Sequence, residues 1–126
     1  MKVAIADHSP ACSMRLGSLV AEIPCTKSII HILDPQVAIE MVRTNSPDIL
    51  IYDLHTGGKE SMDLLKQLLE DLAVALIITL VDMDISYHKK RCNEIGITHC
   101  LNKALDFEEV PTLIKEYYGK NNPGCS

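Results

Sequence analysis

Short apolar runs alternate with longer amphipathic segments along the whole chain. The runs have the length of strands and cover residues 2–6, 26–31, 48–52, 74–81 and 97–102. Between them, apolar residues recur every three or four positions, which is the spacing of helices that bury one face. The pattern therefore predicts a strict alternation of strands and helices.

Residues at the ends of the amphipathic segments support this assignment. Ser9-Pro10 is typical of an N-cap followed by proline at the first helical position, and Asp34-Pro35 opens the next helix similarly. Gly96 is expected to end a helix over 85–95, and Asp106 to cap the last helix. The spacing places these residues on inward faces: Leu16, Leu19, Val20, Ile23, Val37, Ala38, Met41, Val42, Met62, Leu65, Leu69, Leu72, Phe107, Val110, Leu113, Ile114 and Tyr117.

This alternation predicts an α/β fold with a parallel sheet and helices on both faces. Its elements fit the flavodoxin-like doubly wound (βα)5 sandwich, with a five-stranded parallel sheet in the order 2-1-3-4-5. Run 74–81 is the most apolar and is expected near the sheet centre, whereas the half-polar run 26–31 is expected at an edge.

Charged residues follow three of the predicted strands. Asp7 and Asp53 come after the first and third runs, and Lys103 follows the last. Burying an unpaired charge is expensive, and open α/β sheets place their sites at the carboxyl ends of the strands. The sequence therefore predicts that Asp7, Asp53 and Lys103 meet at that edge, with the two acids side by side.

Composition narrows the class of protein. The chain has 126 residues, enough for one domain with a core. Its net charge of -5, without a block of Lys or Arg, argues against nucleic-acid binding. No apolar run approaches the roughly 20 residues needed to span a bilayer. The 5 cysteines form no Cys-x-x-Cys pair, so reduced thiols and a cytoplasmic location are expected.

Four segments resemble the receiver domain of two-component response regulators. They are Ile5–Pro10, Pro47–Leu54, Ser61–Lys66 and Gly96–Lys103, and together the resemblance covers residues 2 to about 118. We therefore expect a receiver domain over 1–119, with 120–126 as a flexible tail or the start of a linker.

The resemblance implies roles for individual residues. Asp53 is expected to accept a phosphoryl group from a histidine kinase or a phosphotransfer protein. Asp7, Asp53 and the backbone carbonyl of His55 are expected to hold Mg²⁺, and Lys103 to pair with the phosphoryl oxygens. A carboxylate is a competent nucleophile for this transfer, which needs cations to spread the charge.

The same resemblance implies a signalling role in the cytoplasm. A downstream output protein or domain is expected as a partner, and a homodimer is left open. Nucleic-acid binding through this domain and membrane association are not expected. We expect no turnover enzyme, only self-phosphorylation and self-dephosphorylation.

The chain departs from the family pattern at the site itself. His8 stands where a second acid usually ligates the metal directly. Because Mg²⁺ accepts imidazole poorly, a weakened Mg²⁺ site is expected, with Mn²⁺ or Zn²⁺ as alternatives if His8 is a ligand. The hydroxyl expected near the end of the fourth strand is either that of Thr79 or absent, because Val81 has the commoner spacing to Lys103.

Two further departures affect the fifth strand. Cys100 replaces an aromatic residue that moves on activation in the family, and inert packing or a redox role is considered for it. Ala104 replaces proline after Lys103, and we expect a trans peptide bond there because cis bonds without proline are costly.

Two functional hypotheses follow. The first is a phosphorylatable receiver that switches a protein-interaction surface, supported by Asp7, Asp53 and Lys103. The alternative is a degenerate pseudo-receiver that acts as a phosphorylation-independent interaction module, supported by the departures. A flavin carrier is disfavoured because Asp7-His8-Ser9-Pro10 is not a phosphate-binding loop.

Overall fold

The structure is a computed structural model and describes residues 1–34, 37–54, 61–71 and 74–121. These residues form strands and helices in strict alternation, as the sequence predicts. In chain order they are β1 (Lys2–Ala6), α1 (Pro10–Ala21), β2 (Ser28–Ile32), α2 (Ala38–Asn45), β3 (Ile49–Asp53), α3 (Ser61–Glu70), β4 (Leu76–Val81), α4 (Ile85–Ile95), β5 (His99–Asn102) and α5 (Glu109–Asn121).

The sheet has the predicted topology. The strands lie in the order β2-β1-β3-β4-β5, and each neighbouring pair is parallel. β2 is an edge strand, and β4 lies inside the sheet between β3 and β5. Because β1 and β3 are neighbours, the residues that follow them emerge side by side at the carboxyl edge.

Alternate residues of each strand face opposite sides of the sheet and build two cores. Val3 and Ile5 pack with α1 and α5, whereas Ala4 and Ala6 face the side of α2, α3 and α4. Each fully buried aliphatic side chain stabilises the fold by roughly 1.5–3 kcal/mol relative to exposure. Helices therefore cover both faces of the sheet, and polar side chains can form a site at its carboxyl edge.

Two predicted helix ends are confirmed. The Ser9 side chain accepts a hydrogen bond from the backbone N–H of Cys12, and Pro10 begins α1. Gly96 follows α4 with φ of 99°, a left-handed conformation that glycine adopts without strain.

Two other predictions about helix starts are wrong. Val37 precedes α2 and is 40% exposed rather than inward, because the helix begins only at Ala38. α5 begins at Glu109, so Asp106 is not its first-turn cap, and its carboxylate instead accepts from the N–H of Asn102. The predicted Pro35 start and the inward Leu72 lie outside the described residues.

Three smaller expectations can also be compared with the structure. No described peptide bond is cis, which confirms the trans bond between Lys103 and Ala104. Cys12, Cys92 and Cys100 are free thiols, whereas Cys25 is disulfide-bonded, so the expectation of reduced thiols does not hold throughout. None of the described helices combines the length and apolar character that crossing a bilayer requires.

Candidate functional site at the carboxyl edge of the sheet

Backbone hydrogen bonds hold the predicted site residues at the sheet edge. The N–H of Asp7 donates to Ile32 of the neighbouring β2 at 3.1 Å. Just past Asp53, the N–H of Leu54 donates to Leu80 of β4 at 3.0 Å. The N–H of Lys103 donates to the carbonyl of Val81 at 2.7 Å. These bonds continue the backbone hydrogen-bond ladder of the sheet one residue beyond three of its strands. They fix the backbone from which the site side chains project.

The side chains of Asp7, Asp53 and Lys103 meet, and we call them the carboxyl-edge cluster. Lys103 Nζ lies 2.8 Å from Asp7 Oδ2 and 3.0 Å from Asp53 Oδ2. The contact with Asp53 is a hydrogen bond, whereas the contact with Asp7 is an ion pair without hydrogen-bond geometry. Both acidic side chains are 1% exposed and that of Lys103 is 10% exposed. Each buried charge therefore has an opposite charge beside it, which is the condition under which burial is tolerated.

Electrostatics in the cluster favour the charged lysine. Burial by itself would lower the pKa of Lys103, but the carboxylates of Asp7 and Asp53 outweigh it and raise the pKa above its ordinary value. Lys103 is consequently a fixed positive charge at neutral pH. It balances one of the two acids, so the three groups carry a net negative charge when both acids are ionised.

Asp7 has one oxygen whose bonding is incomplete. Its Oδ1 accepts a hydrogen bond from the N–H of Ser9 at 2.8 Å. Its buried Oδ2 has the ion pair with Lys103 but no hydrogen-bond partner among the described residues. Buried polar atoms are normally satisfied, and here the Lys103 ammonium at 2.8 Å compensates the charge of this oxygen.

A group of three potential metal ligands includes Asp7. Asp7, His8 and Asp53 each offer one ligand atom, and these atoms lie within 4.8 Å of one another. Carboxylate oxygens fit Mg²⁺, which commonly takes one or two carboxylates and keeps several waters. The two acids therefore suit a hydrated Mg²⁺ ion. The predicted carbonyl ligand, His55, lies outside the described residues.

His8 lies at the rim of this group. Its Nδ1 is 3.6 Å from Asp53 Oδ2, and its side chain is 60% exposed. The imidazole thus contributes a nitrogen where an acid would contribute an oxygen. Nitrogen suits Zn²⁺ and related metals better than Mg²⁺, so the donor set is less selective for Mg²⁺ than an all-oxygen one.

Thr79 lies deeper in β4 than the carboxyl-edge cluster. It is fully buried, and its hydroxyl donates to the carbonyl of His99 at 3.0 Å. Asp53 pairs in register with Leu80, and Val81 is the last residue of β4. The hydroxyl is therefore used within the fold, and a role for Thr79 at the site stays a prediction.

The turn between β5 and α5 contains two polar residues whose importance the sequence interpretation missed. Asn102 Oδ1 accepts from the N–H groups of Ala104 and Leu105 at 2.9 and 3.0 Å. Asp106 Oδ2 accepts from the N–H of Asn102 at 3.0 Å. These bonds brace the turn that carries Lys103 without the usual proline. Asn and Asp commonly stabilise turns in this way. Their positions on either side of Lys103 were therefore the sequence signal from which this braced turn could have been predicted.

A cleft of about 500 Å³ opens beside the cluster. It lies between the start of α1 and the β5–α5 turn, and its lining includes His8, Arg15 and Lys103. The Arg15 guanidinium lies 4.4 Å from the ring centroid of Phe107, which also lines the cleft. One flank of the cluster is thus open, and the lining of the cleft carries two cationic side chains, Arg15 and Lys103, and one acid, Asp82.

Comparisons with known proteins agree on the fold. No family model matches the sequence. Three similar solved structures are the signal receiver domain of a DNA binding response regulator from Colwellia psychrerythraea 34H, the receiver domain of Francisella response regulator 1452, and the signal receiver domain of a putative Luxo repressor protein from Vibrio parahaemolyticus.

The likeness is high in structure and low in sequence. In the same order, the TM-scores are 0.81, 0.82 and 0.82, and the identities are 19%, 20% and 15%. The alignments cover 93%, 96% and 98% of this chain and 97%, 98% and 93% of those chains. The chain therefore has the fold of a response regulator receiver domain.

Proposed function

We propose that the chain is a phosphorylatable receiver. In this proposal Asp53 accepts a phosphoryl group from a histidine kinase or a phosphotransfer protein, and the modified domain presents a changed surface to a downstream protein. One observation carries the proposal: the Lys103 ammonium lies between the buried carboxylates of Asp7 and Asp53. The domain would act in the cytoplasm, where such kinases present their phosphoryl groups.

The chemistry follows from the arrangement of these groups. An oxygen of Asp53 would attack phosphorus and form an aspartyl phosphate while the donor leaves. The transfer depends on positioning and on positive charge around the phosphoryl oxygens. Lys103 already contacts Asp53 Oδ2 and would contact the new phosphoryl oxygens after a small shift. A Mg²⁺ ion bound by Asp7 and Asp53 would supply further positive charge.

The surroundings provide access and a return path. In this proposal a phosphodonor would approach through the cleft that borders His8 and Lys103. Water reaching the aspartyl phosphate through the same opening would reverse the modification. The activity proposed for this chain is therefore limited to its own phosphorylation and dephosphorylation, with no turnover of a separate substrate.

Labelling with a small phosphodonor tests the proposal. The protein is incubated with acetyl phosphate, with and without Mg²⁺, and weighed by intact-mass spectrometry. We expect one added phosphoryl group that requires the metal and is absent from Asp53→Asn. Asp63→Asn, which changes an exposed acid of α3, is the matched control and should be labelled like the unmodified chain.

A second candidate function is supported by specific substitutions. The His8 nitrogen replaces an oxygen ligand, Val81 ends β4 without a hydroxyl, and Cys100 is a buried thiol. Together they favour a pseudo-receiver that binds its partner without phosphorylation. If neither Mg²⁺ nor Mn²⁺ supports labelling, the phosphorylatable receiver is excluded and this second function is favoured.

A further inference from the structure

Two cysteines meet in the core beneath α4. Cys92 is the only fully buried residue of α4 in the described structure, and Cys100 of β5 is 4% exposed. Both belong to the same buried core on this side of the sheet. Thr79 completes what we call the thiol cluster: its hydroxyl lies 3.6 Å from Cys92 Sγ, and it pairs in register with Cys100.

This cluster is separate from the carboxyl-edge cluster. Thr79 and Cys100 lie inside the sheet, and Thr79 donates to the carbonyl of His99 rather than to either acid. Cys92 and Cys100 belong to the apolar core that also contains Val81, Ile97 and Leu65. The receiver chemistry proposed above leaves the two thiols without a role, and an inference about them does not depend on it.

The environment makes the two thiols unequal. The neighbouring Cys92 thiol lowers the pKa of Cys100, with burial opposing the shift and Thr79 and Lys89 supporting it. The neighbouring Cys100, together with burial, raises the pKa of Cys92. The thiolate is the reactive form of cysteine, so these directions favour Cys100 as the nucleophile of the pair.

We propose that Cys92 and Cys100 form a redox-responsive pair that closes to a disulfide between α4 and β5 when a peroxide reaches the core. The Cys100 thiolate attacks one oxygen of hydrogen peroxide and becomes a sulfenic acid, and the other oxygen leaves as water after protonation. Cys92 Sγ then attacks Cys100 Sγ, loses its proton and releases the second water. Two thiols are oxidised and one peroxide is reduced to two waters.

Burial determines which oxidants can act. With Cys92 0% and Cys100 4% exposed, a bulky disulfide such as oxidised glutathione cannot reach either sulfur in the folded protein. Hydrogen peroxide is close to water in size and needs only a transient opening of α4. Once formed, the bond would join α4 covalently to the strand that ends beside Lys103, and local opening of α4 would become rarer.

The sequence allows a direct test by peptide mapping. Trypsin cleaves after Arg91 and after Lys103, so both cysteines fall on the single peptide Cys92–Lys103. The protein is treated with hydrogen peroxide, unfolded, alkylated and digested. We expect this peptide to lose two hydrogens and take up no alkyl group, and to regain two alkylation sites after reduction with dithiothreitol. Cys25 lies on another peptide and does not affect the reading.

Variants identify the pair as the cause. Cys92→Ala should abolish the closed peptide, and any sulfenic acid that forms on Cys100 should remain or oxidise further to the sulfinic acid, because no second thiol intercepts it. Cys92→Ser, which keeps a small polar group there, should behave alike and guards against a folding defect of the alanine variant. Cys12→Ser, which removes the half-buried thiol of α1, should leave the closed peptide unchanged.

Two outcomes would overturn the proposal. One is that both cysteines of the peptide Cys92–Lys103 are still alkylated at a peroxide dose that is sufficient to oxidise Cys12. The other is a closed peptide that forms in urea but not in the folded protein, since the fold would then prevent the reaction. Hydrogen exchange provides an independent reading: the amides of α4 should exchange more slowly in the oxidised protein, and equal exchange rates would refute the covalent tie between α4 and β5.

Discussion

The carboxyl-edge cluster and the thiol cluster solve the same problem in different ways. Both bury polar side chains in or next to the central sheet. The first places Lys103 between two carboxylates, so its groups are charged and held by ion pairs. The second places Thr79 against Cys92 and the carbonyl of His99, so its partners are neutral and held by hydrogen bonds.

Because one cluster is held by ion pairs and the other by hydrogen bonds, the two clusters should respond to different changes. The stability of the folded state falls strongly when one partner of a buried ion pair is removed, and it rises when a cation binds to the folded state. Neutral buried groups depend little on ions, and the cost of removing a hydroxyl is limited to the hydrogen bonds it made. The carboxyl-edge cluster is therefore expected to respond to metal ions, whereas the thiol cluster is expected to respond to oxidants.

Removal of the lysine should have the largest effect. Lys103→Met keeps an apolar stem but leaves two buried carboxylates unpaired, so we expect a loss of about 3 kcal/mol in the free energy of unfolding at pH 7. Such a loss leaves the domain folded if its stability is in the usual range of about 5–15 kcal/mol. Urea titration monitored by circular dichroism measures it.

The pH dependence of the same variant checks the cause. Because the folded-state pKa of Lys103 is raised, its contribution is complete below the unfolded pKa of about 10.4 and is lost as pH rises above it. The unmodified protein should therefore lose stability in alkaline buffer through a component that Lys103→Met lacks. Parallel alkaline decay in the two proteins would show that the ion pairs do not stabilise the fold.

The hydroxyl of the thiol cluster should matter less. Thr79→Val keeps the shape but removes the donor to His99, and we expect a loss of about 1–2 kcal/mol. Labelling by acetyl phosphate should be unchanged, because the hydroxyl is used inside the fold. A normal stability together with slower labelling would instead assign Thr79 to the phosphoryl site.

An acid added at the rim of the carboxyl-edge cluster should strengthen the response of this cluster to metal ions. His8→Asp replaces a nitrogen ligand with an oxygen ligand, and we expect Mg²⁺ affinity to rise about tenfold, which corresponds to about 1.4 kcal/mol. Calorimetric titration measures it. Thr112→Asp adds the same charge on the exposed face of α5 and should leave the affinity unaltered. Equal affinities in all three proteins would remove His8 from the metal site.

Neutralising the acceptor should have the smallest effect on stability. Without metal, Asp53→Asn leaves Asp7 and Lys103 as a balanced pair, so the free energy of unfolding should stay unchanged or rise by up to about 1 kcal/mol. Mg²⁺ should stabilise the unmodified chain more than this variant. A marked loss of stability in metal-free buffer would contradict the repulsion between the two acids.

The site could be predicted from the sequence where parallel topology alone decides position. Asp7, Asp53 and Lys103 each follow a strand, and the carboxyl ends of parallel strands share one edge. What could not be predicted is that one ammonium contacts both acids, because this depends on the rotamer of Lys103 and on the turn braced by Asn102. The start of α5 was misassigned because Asp106 bonds within that turn rather than capping the helix.

By itself, the sequence determined the alternation of elements and the helix ends at Ser9 and Gly96, since these follow from local spacing and backbone preference, whereas the order of the strands was inferred from the flavodoxin-like fold that this alternation fits. Only the tertiary structure decided that Cys92 of α4 and Cys100 of β5 are both neighbours of Thr79. Short-range patterns identify which face of a helix is buried. The neighbour that a buried side chain contacts depends on how the helix is rotated and shifted on the sheet, which the packing of the whole core fixes.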